Sequence, residues 1–237
     1  MKLIFIRHGD PDYVKDSLTE KGWREAELLS ERVKDWKVKE FYCSPLGRAQ
    51  DTASLTLNKV GRNSITYEWL QEFYYRVIDE RTGKERIAWD FMPEYFCPNT
   101  GLHDKDEWYK TPVMNSGGIE SHYLDVTRGM DDLLASYGYM RRDDGVYQVL
   151  KHNDDNLVFF CHFGVTALLT GYLTGIAAPA LWQGFFMAPT SITVLGSEER
   201  TPGEAAFRVQ VFGDYMHLIE GGEPVSASGY FTDIFEG

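Results

Sequence analysis

Two apolar segments of this chain end in nearly the same way: Lys2 to Ile6 runs into Arg7-His8-Gly9, and Asn156 to Cys161 runs into His162-Phe163-Gly164. A neutral imidazole nitrogen can attack phosphorus and form a labile phosphoramidate, which splits one hard displacement into two easier ones. His8 is therefore the candidate nucleophile. Phosphoryl transfer is mostly positioning plus neutralisation of charge on the equatorial oxygens, work that guanidinium and imidazole donors can do. Arg7, Arg48 and His162 offer those groups. The leaving alkoxide needs a proton and the phosphohistidine later needs an activated water, so one carboxyl group can serve as acid and then as base. Glu72 is the candidate, with Glu68 as its substitute. Asp10, beside His8, is either a second acid and phosphate contact or a turn-capping aspartate. Gly9 lets the backbone approach histidine or phosphate closely. Arg7, Gly9, Asp10, Arg48, Phe163 and Gly164 make up the candidate substrate-binding set. An isolated histidine is more often a packed core residue, and a helical arginine more often a solvated one. The repeated strand-end setting is what separates His8 and His162 from that background.

Those side chains need elements to carry them. Lys2 to Ile6 (KLIFI) and Asn156 to Cys161 (NLVFFC) read as strands buried on both faces in a parallel sheet. Ser17 and Glu20 stand at capping-box spacing ahead of Trp23, Ala26, Leu29 and Val33, which recur at helical intervals. A short strand near Glu40 to Cys43 is followed by Ser44-Pro45, read as N-cap and first helical position of a helix to about Leu57, with Arg48 one turn in. Ile65 to Trp69 reads as a third strand. From Glu72 to Gly118 no period is sustained, helical spacing returns over Glu120 to Tyr137, and a helix from about Val165 to Thr174 follows His162. Ser191 to Leu195, Ala205 to Phe212 and Asp214 to Leu218 read as short strands at an edge of the same sheet. Strands alternating with helices predict a three-layer α/β/α sandwich with a mainly parallel central sheet, whose ligand site lies beyond the carboxyl ends of the strands. Parallel pairing then delivers both histidines to one cleft.

Composition bounds the function. In 237 residues, 36 acidic against 24 basic groups give a net charge of -12, which argues against a nucleic-acid partner, because phosphate-backbone binding relies on a basic surface. A few arginines in one cleft still make a local positive well for a small phosphorylated metabolite. The apolar run from Leu3 to Ile6 is far too short for a bilayer span or a signal-peptide core, so a soluble, cytoplasmic protein without a membrane partner is expected. Cys43, Cys97 and Cys161 form no C-x-x-C pair, and only His8 and His162 are placed to converge, so neither disulfide, metal nor other cofactor is predicted.

Arg7-His8-Gly9, Ser44-Pro45-Leu46-Gly47-Arg48-Ala49 with Thr52-Ala53, Leu70-Gln71-Glu72, and His162 with Gly164 resemble, in order and spacing, the histidine phosphatase superfamily, which includes the cofactor-dependent phosphoglycerate mutases. Leu18-Thr19-Glu20-Lys21-Gly22, Gly118 with Glu120-Ser121 and Arg128, Ser191 to Leu195, and His217-Leu218 are weaker echoes. The resemblance implies one domain over residues 1–237 and a metal-independent phosphomonoesterase acting through phosphohistidine, with His8, Arg7, Arg48, Glu72 and His162 as its catalytic set. Residues 10–17 make a shorter loop than in many members, without the asparagine that touches phosphate there. The basic segments of the mutase subgroup are not recognisable, so hydrolysis is preferred over phosphoglycerate mutase-type transfer; protein phosphohistidine phosphatase and a catalytically weak phosphate-binding regulatory module are the other readings. Eleven of the 34 aromatic residues fall between Tyr67 and Tyr109. They suggest that the insertion, about 73–117, is an aromatic-rich lid over the leaving group, or else that it has a small core of its own.

Overall fold

A computed structural model describes residues 1–229; the last part of the expected 1–237 domain, residues 230–237, lies outside them. One sheet contains β1 (Lys2–Arg7), β2 (Glu40–Cys43), β3 (Ile65–Thr66), β4 (Tyr139–Arg141), β5 (Tyr147–Val149), β6 (Asn156–Cys161), β7 (Ile192–Thr201) and β8 (Glu204–Asp214), in the order β3-β2-β6-β1-β7-β8-β5-β4. β3, β2, β6 and β1 pair in parallel, and the rest pair antiparallel, so only β7 and β5 run against β1. In the β1–β6 ladder Arg7 stands opposite Cys161, so His8 and His162 leave the sheet side by side. In the β6–β2 ladder Phe160 stands opposite Cys43, which brings Ser44 to the same edge.

Alternation along β1 and β6 builds two cores, because successive side chains of a strand point to opposite faces. Ile4, Ile6, Val158 and Phe160 pack with Leu29 and Val33 of α1 (Glu20–Val33) and Ala49 and Ala53 of α2 (Gly47–Val60). Leu3, Phe5, Leu157 and Phe159 face the other way, toward Met130 and Leu134 of α3 (Ile119–Ser136), Leu168 of α4 (Phe163–Thr174) and Trp182 of α5 (Ala178–Gly184). The α/β/α sandwich expected from the strand and helix pattern is this pair of layers. The segment after Glu72 forms a hairpin, Arg76–Asp79 with Lys84–Ile87, and several short helical turns. Its Phe73, Phe91, Tyr95 and Trp108 are buried in the second core; Phe73 stacks on Trp182 at 5.6 Å and Trp108 meets it edge-on at 5.2 Å. These rings therefore complete the main core, not a separate small one.

Several local expectations change. α2 starts at Gly47 with Leu46 as N-cap, not at Ser44-Pro45, and it runs to Val60, where Gly61 closes it in the left-handed region. Thr19, not Ser17, caps α1, accepting the Gly22 amide at 3.0 Å, while Ser17 donates to Asp51. The third strand stops at Thr66, and Glu68–Leu70 is a helical turn. β7 lies beside β1 in mid-sheet, not at an edge, because the antiparallel extension continues through β8, β5 and β4. Beyond Asp214 the chain turns into α6 (Met216–Gly221), so Asp214 to Leu218 is not a strand. Among the described residues no helix is long and apolar enough to cross a membrane.

Candidate active site

His8 is 2% exposed and is held on both sides by the sheet: its amide donates to the Cys161 carbonyl at 3.0 Å, and its carbonyl accepts the Thr190 amide at 3.1 Å. Its Nδ1 lies 2.7 Å from the Gly9 carbonyl oxygen, which can only accept, so the ring proton sits on Nδ1 and Nε2 keeps its lone pair. Burial, then the charges of Arg7 and Arg48, hold the imidazole pKa well below its ordinary 6.5. His8 is thus a neutral base with a defined reactive nitrogen.

His162 is fully buried, 5.1 Å from His8 between ring centroids. Its Nε2 lies 2.7 Å from Ser44 Oγ, which itself accepts the Leu46 amide at 3.3 Å. When the hydroxyl donates to Nε2 the imidazole proton is on Nδ1, and Nδ1 has no protein partner. Its pKa too lies well below the usual range, from burial first and then from His8, Arg48 and Arg7. Arg7 uses Nη1 to bind the Met187 and Ser228 carbonyls, at 2.5 and 3.3 Å. Arg48 uses Nη1 to bind Asp16 Oδ1 at 2.5 Å, and Asp16 Oδ2 accepts the Gly47 amide at 2.7 Å. The Nε atoms of Arg7 and Arg48 are buried and unpartnered. Buried donors rarely lack a partner, and these three residues bear on the His8 ring by charge or by ring contact, so together they are suited to seat an anion.

Glu72 closes the other end. Its Oε1 accepts the amides of Phe73 at 2.8 Å and Val165 at 3.3 Å, which leaves Oε2 for a proton. Those amides and the charges of Arg7 and Arg48 favour the carboxylate, yet burial outweighs them and raises the pKa above its ordinary 4.5. Glu68 is exposed and lines a separate cavity with Trp69, Tyr75 and His122, so of the two carboxyl candidates only Glu72 joins the cluster. A Cβ on Gly164 would stand 2.6 Å from Glu72 Oε1 and 2.9 Å from the Trp89 ring, so the glycine makes room for both. Phe163 meets Trp89 edge-on at 6.0 Å.

Two expected contacts are placed differently. Asp10 has both oxygens engaged, Oδ2 by the Thr19 hydroxyl at 2.7 Å and Oδ1 by the Ser226 hydroxyl at 2.5 Å, and so anchors its loop. A Cβ on Gly9 would lie 2.8 Å from the Gly22 carbonyl, so the glycine allows a close approach to α1. Burial pushes the Cys161 thiol up to about 12, which removes it as a nucleophile near neutrality. Sequence reasoning missed Asp16, Ser44 as a partner of His162, and Trp89. Only the acidic side chain in the short loop ahead of Arg48 offered a signal, and loop closure had to bring it there.

Residues 3–96, which include Arg7, His8, Arg48 and Glu72, match the family model of the histidine phosphatase superfamily (branch 1). A 2,3-bisphosphoglycerate-dependent phosphoglycerate mutase of Thermoplasma acidophilum is 38% identical over 93 residues, a stretch covering 35% of this chain and 43% of the mutase, so the likeness spans under half of that relative. Over nearly the whole chain the fold is similar to that of phosphoserine phosphatase from Entamoeba histolytica (18% identity, 92% of this chain, 98% of that one, TM-score 0.61). It is also similar to α-ribazole phosphatase from Shigella flexneri (21% identity, 91% and 97%, TM-score 0.57) and a mycobacterial glucosyl-3-phosphoglycerate phosphatase (19%, 90% and 98%, TM-score 0.57). The histidine phosphatase superfamily match thus covers the strand-end His8, both arginines and Glu72, and the likeness of fold to these phosphatases carries through to His162.

Proposed function

We propose that the chain is a metal-independent phosphomonoester hydrolase that passes the phosphoryl group of a small organic phosphate to His8 and then to water. One observation carries the reading: Arg7, Arg48 and His162, which bear on the His8 ring, each keep an unpartnered buried nitrogen, and the Nε2 of His8 is left free by the Gly9 carbonyl. In the first step Nε2 forms a bond to phosphorus, the bond from phosphorus to the ester oxygen breaks, and the Glu72 proton moves to the departing alkoxide. In the second step Glu72, now a carboxylate, takes a proton from water, whose oxygen bonds to phosphorus as the bond to Nε2 breaks and phosphate leaves. Arg7, Arg48 and His162 neutralise the oxygens that stay with phosphorus in both steps.

Brief exposure to labelled substrate in the presence of chelator is expected to leave an acid-labile, base-stable phosphoryl group that is absent from His8→Ala. Label retained by that variant assigns the nucleophile elsewhere. The mutase relative supports a second reading, in which the P–N bond breaks as the phosphoryl group passes from His8 to the hydroxyl oxygen on another carbon of the substrate. Phosphoglycerate isomerisation dependent on a bisphosphate primer, faster than phosphate release, selects it.

A further inference from the structure

We infer that Trp89 determines specificity for this hydrolase, by donating its indole N–H to an acceptor oxygen on the leaving group beside the ester carbon. The inference rests on the hydrolase reading and concerns the half of the cleft that the phosphoryl-binding residues do not reach. Trp89 Nε1 is buried and has no hydrogen-bond partner. A buried tryptophan normally finds one. Trp182, nearby, does so, with its Nε1 donating to the Gly164 carbonyl at 2.9 Å.

The indole is fixed in place. Its main-chain carbonyl accepts Gln183 Nε2 at 2.8 Å, and its ring meets Phe163 edge-on. It is also fixed at the proton-transfer end of the cleft. The point a Cβ would occupy on Gly164 lies 2.6 Å from Glu72 Oε1 and 3.0 Å from Trp89 Nε1, which puts the two atoms within 5.6 Å of each other, and they are not bonded. Oε1 is already taken by two amides, so an acceptor oxygen about 2.8 Å from Nε1 makes its ordinary hydrogen bond there to the indole alone. The fitting substrates are phosphate esters of alcohols with a second hydroxyl or a carboxylate next to the ester, on a body that can lie against the Phe163 and Trp89 rings. A leaving group without that oxygen leaves the buried N–H unpaired, whereas one with it gains a hydrogen bond, so the first is disfavoured.

The test compares kcat/KM for glycerol 3-phosphate and n-propyl phosphate, with p-nitrophenyl phosphate as a check of hydrolysis itself. Wild type is expected to prefer glycerol 3-phosphate about tenfold, and Trp89→Phe to lower that substrate selectively and bring the two within about twofold. Three outcomes overturn the assignment: no preference in wild type, a preference that survives in Trp89→Phe, or an equal fall for both esters. The wild-type ratio stands even where the variant fails to fold. No turnover of p-nitrophenyl phosphate by wild type instead defeats the hydrolase reading, and the role of Trp89 with it.

Discussion

The two ends of the cleft are built differently. At the phosphoryl end, Arg7, His8, Ser44 and His162 sit on or just past the ends of adjacent parallel strands, held by ladder hydrogen bonds on either side. At the leaving-group end, Glu72, Trp89 and Phe163 come from a loop, the segment beyond it and the first turn of α4, and they meet around a glycine. The first end is set by sheet register; the second depends on how the 73–117 segment docks on the core. On the proposed reading, chemistry common to all phosphate esters belongs to the rigid end, and selection among them to the other.

Substitutions can break that division. The largest effect is expected from Glu72→Gln, which should slow alkyl phosphates about a thousandfold and aryl phosphates, whose leaving groups need no proton, less than about tenfold. Equal slowing of both would return Glu72 to a structural role. The pH profile sharpens the same point. Glu72 must be protonated to act as the acid and its pKa is raised, so turnover of alkyl esters should fall as pH rises through that value. His8, neutral until well below 6.5, should remain a nucleophile on the acid side. Glu72→Gln should flatten the falling limb, and an unchanged limb would place the titrating group elsewhere.

Arg48→Ala, at the phosphoryl end, should cost about a hundredfold in kcat/KM whatever the leaving group; a loss that varies with leaving-group pKa would erase the distinction between the ends. Gly164→Ala forces Glu72 and Trp89 aside and should reduce alkyl ester turnover about tenfold, leaving phosphoenzyme formation from an aryl ester closer to wild type. Equal losses in the two assays would mean that α4 itself has shifted. Asp16→Ala removes the partner of Arg48 Nη1, but this pair is partly solvated, so a rise in KM of only about threefold is expected, with kcat little changed. A fall in kcat with constant KM would show that Asp16 acts on the transition state.

The sheet-borne half was legible because the signals were local. KLIFI and NLVFFC announce buried strands, and parallel pairing alone predicts that His8 and His162 converge. Glu72 was legible as a candidate, but choosing it over Glu68 required the chain path after Leu70, where the expected strand gives way to a helical turn that turns Glu68 outward. The helix start read at Ser44 moved along the chain: the Ser44 hydroxyl meets His162 and accepts the Leu46 amide, while the helix itself begins two residues after Pro45 with Leu46 as N-cap. The aromatic run after Tyr67 was visible as composition, with no period to say whether its rings would cover the cleft or complete the core.

By itself, the sequence determined which groups could do phosphoryl chemistry and that two strands would carry the histidines to one edge, because strand periodicity and residue chemistry are properties of neighbours along the chain. Only the tertiary structure decided which nitrogen of His8 is free, that Asp16 and Ser44 hold Arg48 and His162, and that Glu72 and Trp89 share the space over Gly164. Those are contacts between residues far apart in the chain, fixed by where the sheet, α4 and the aromatic segment pack, and no local pattern encodes them.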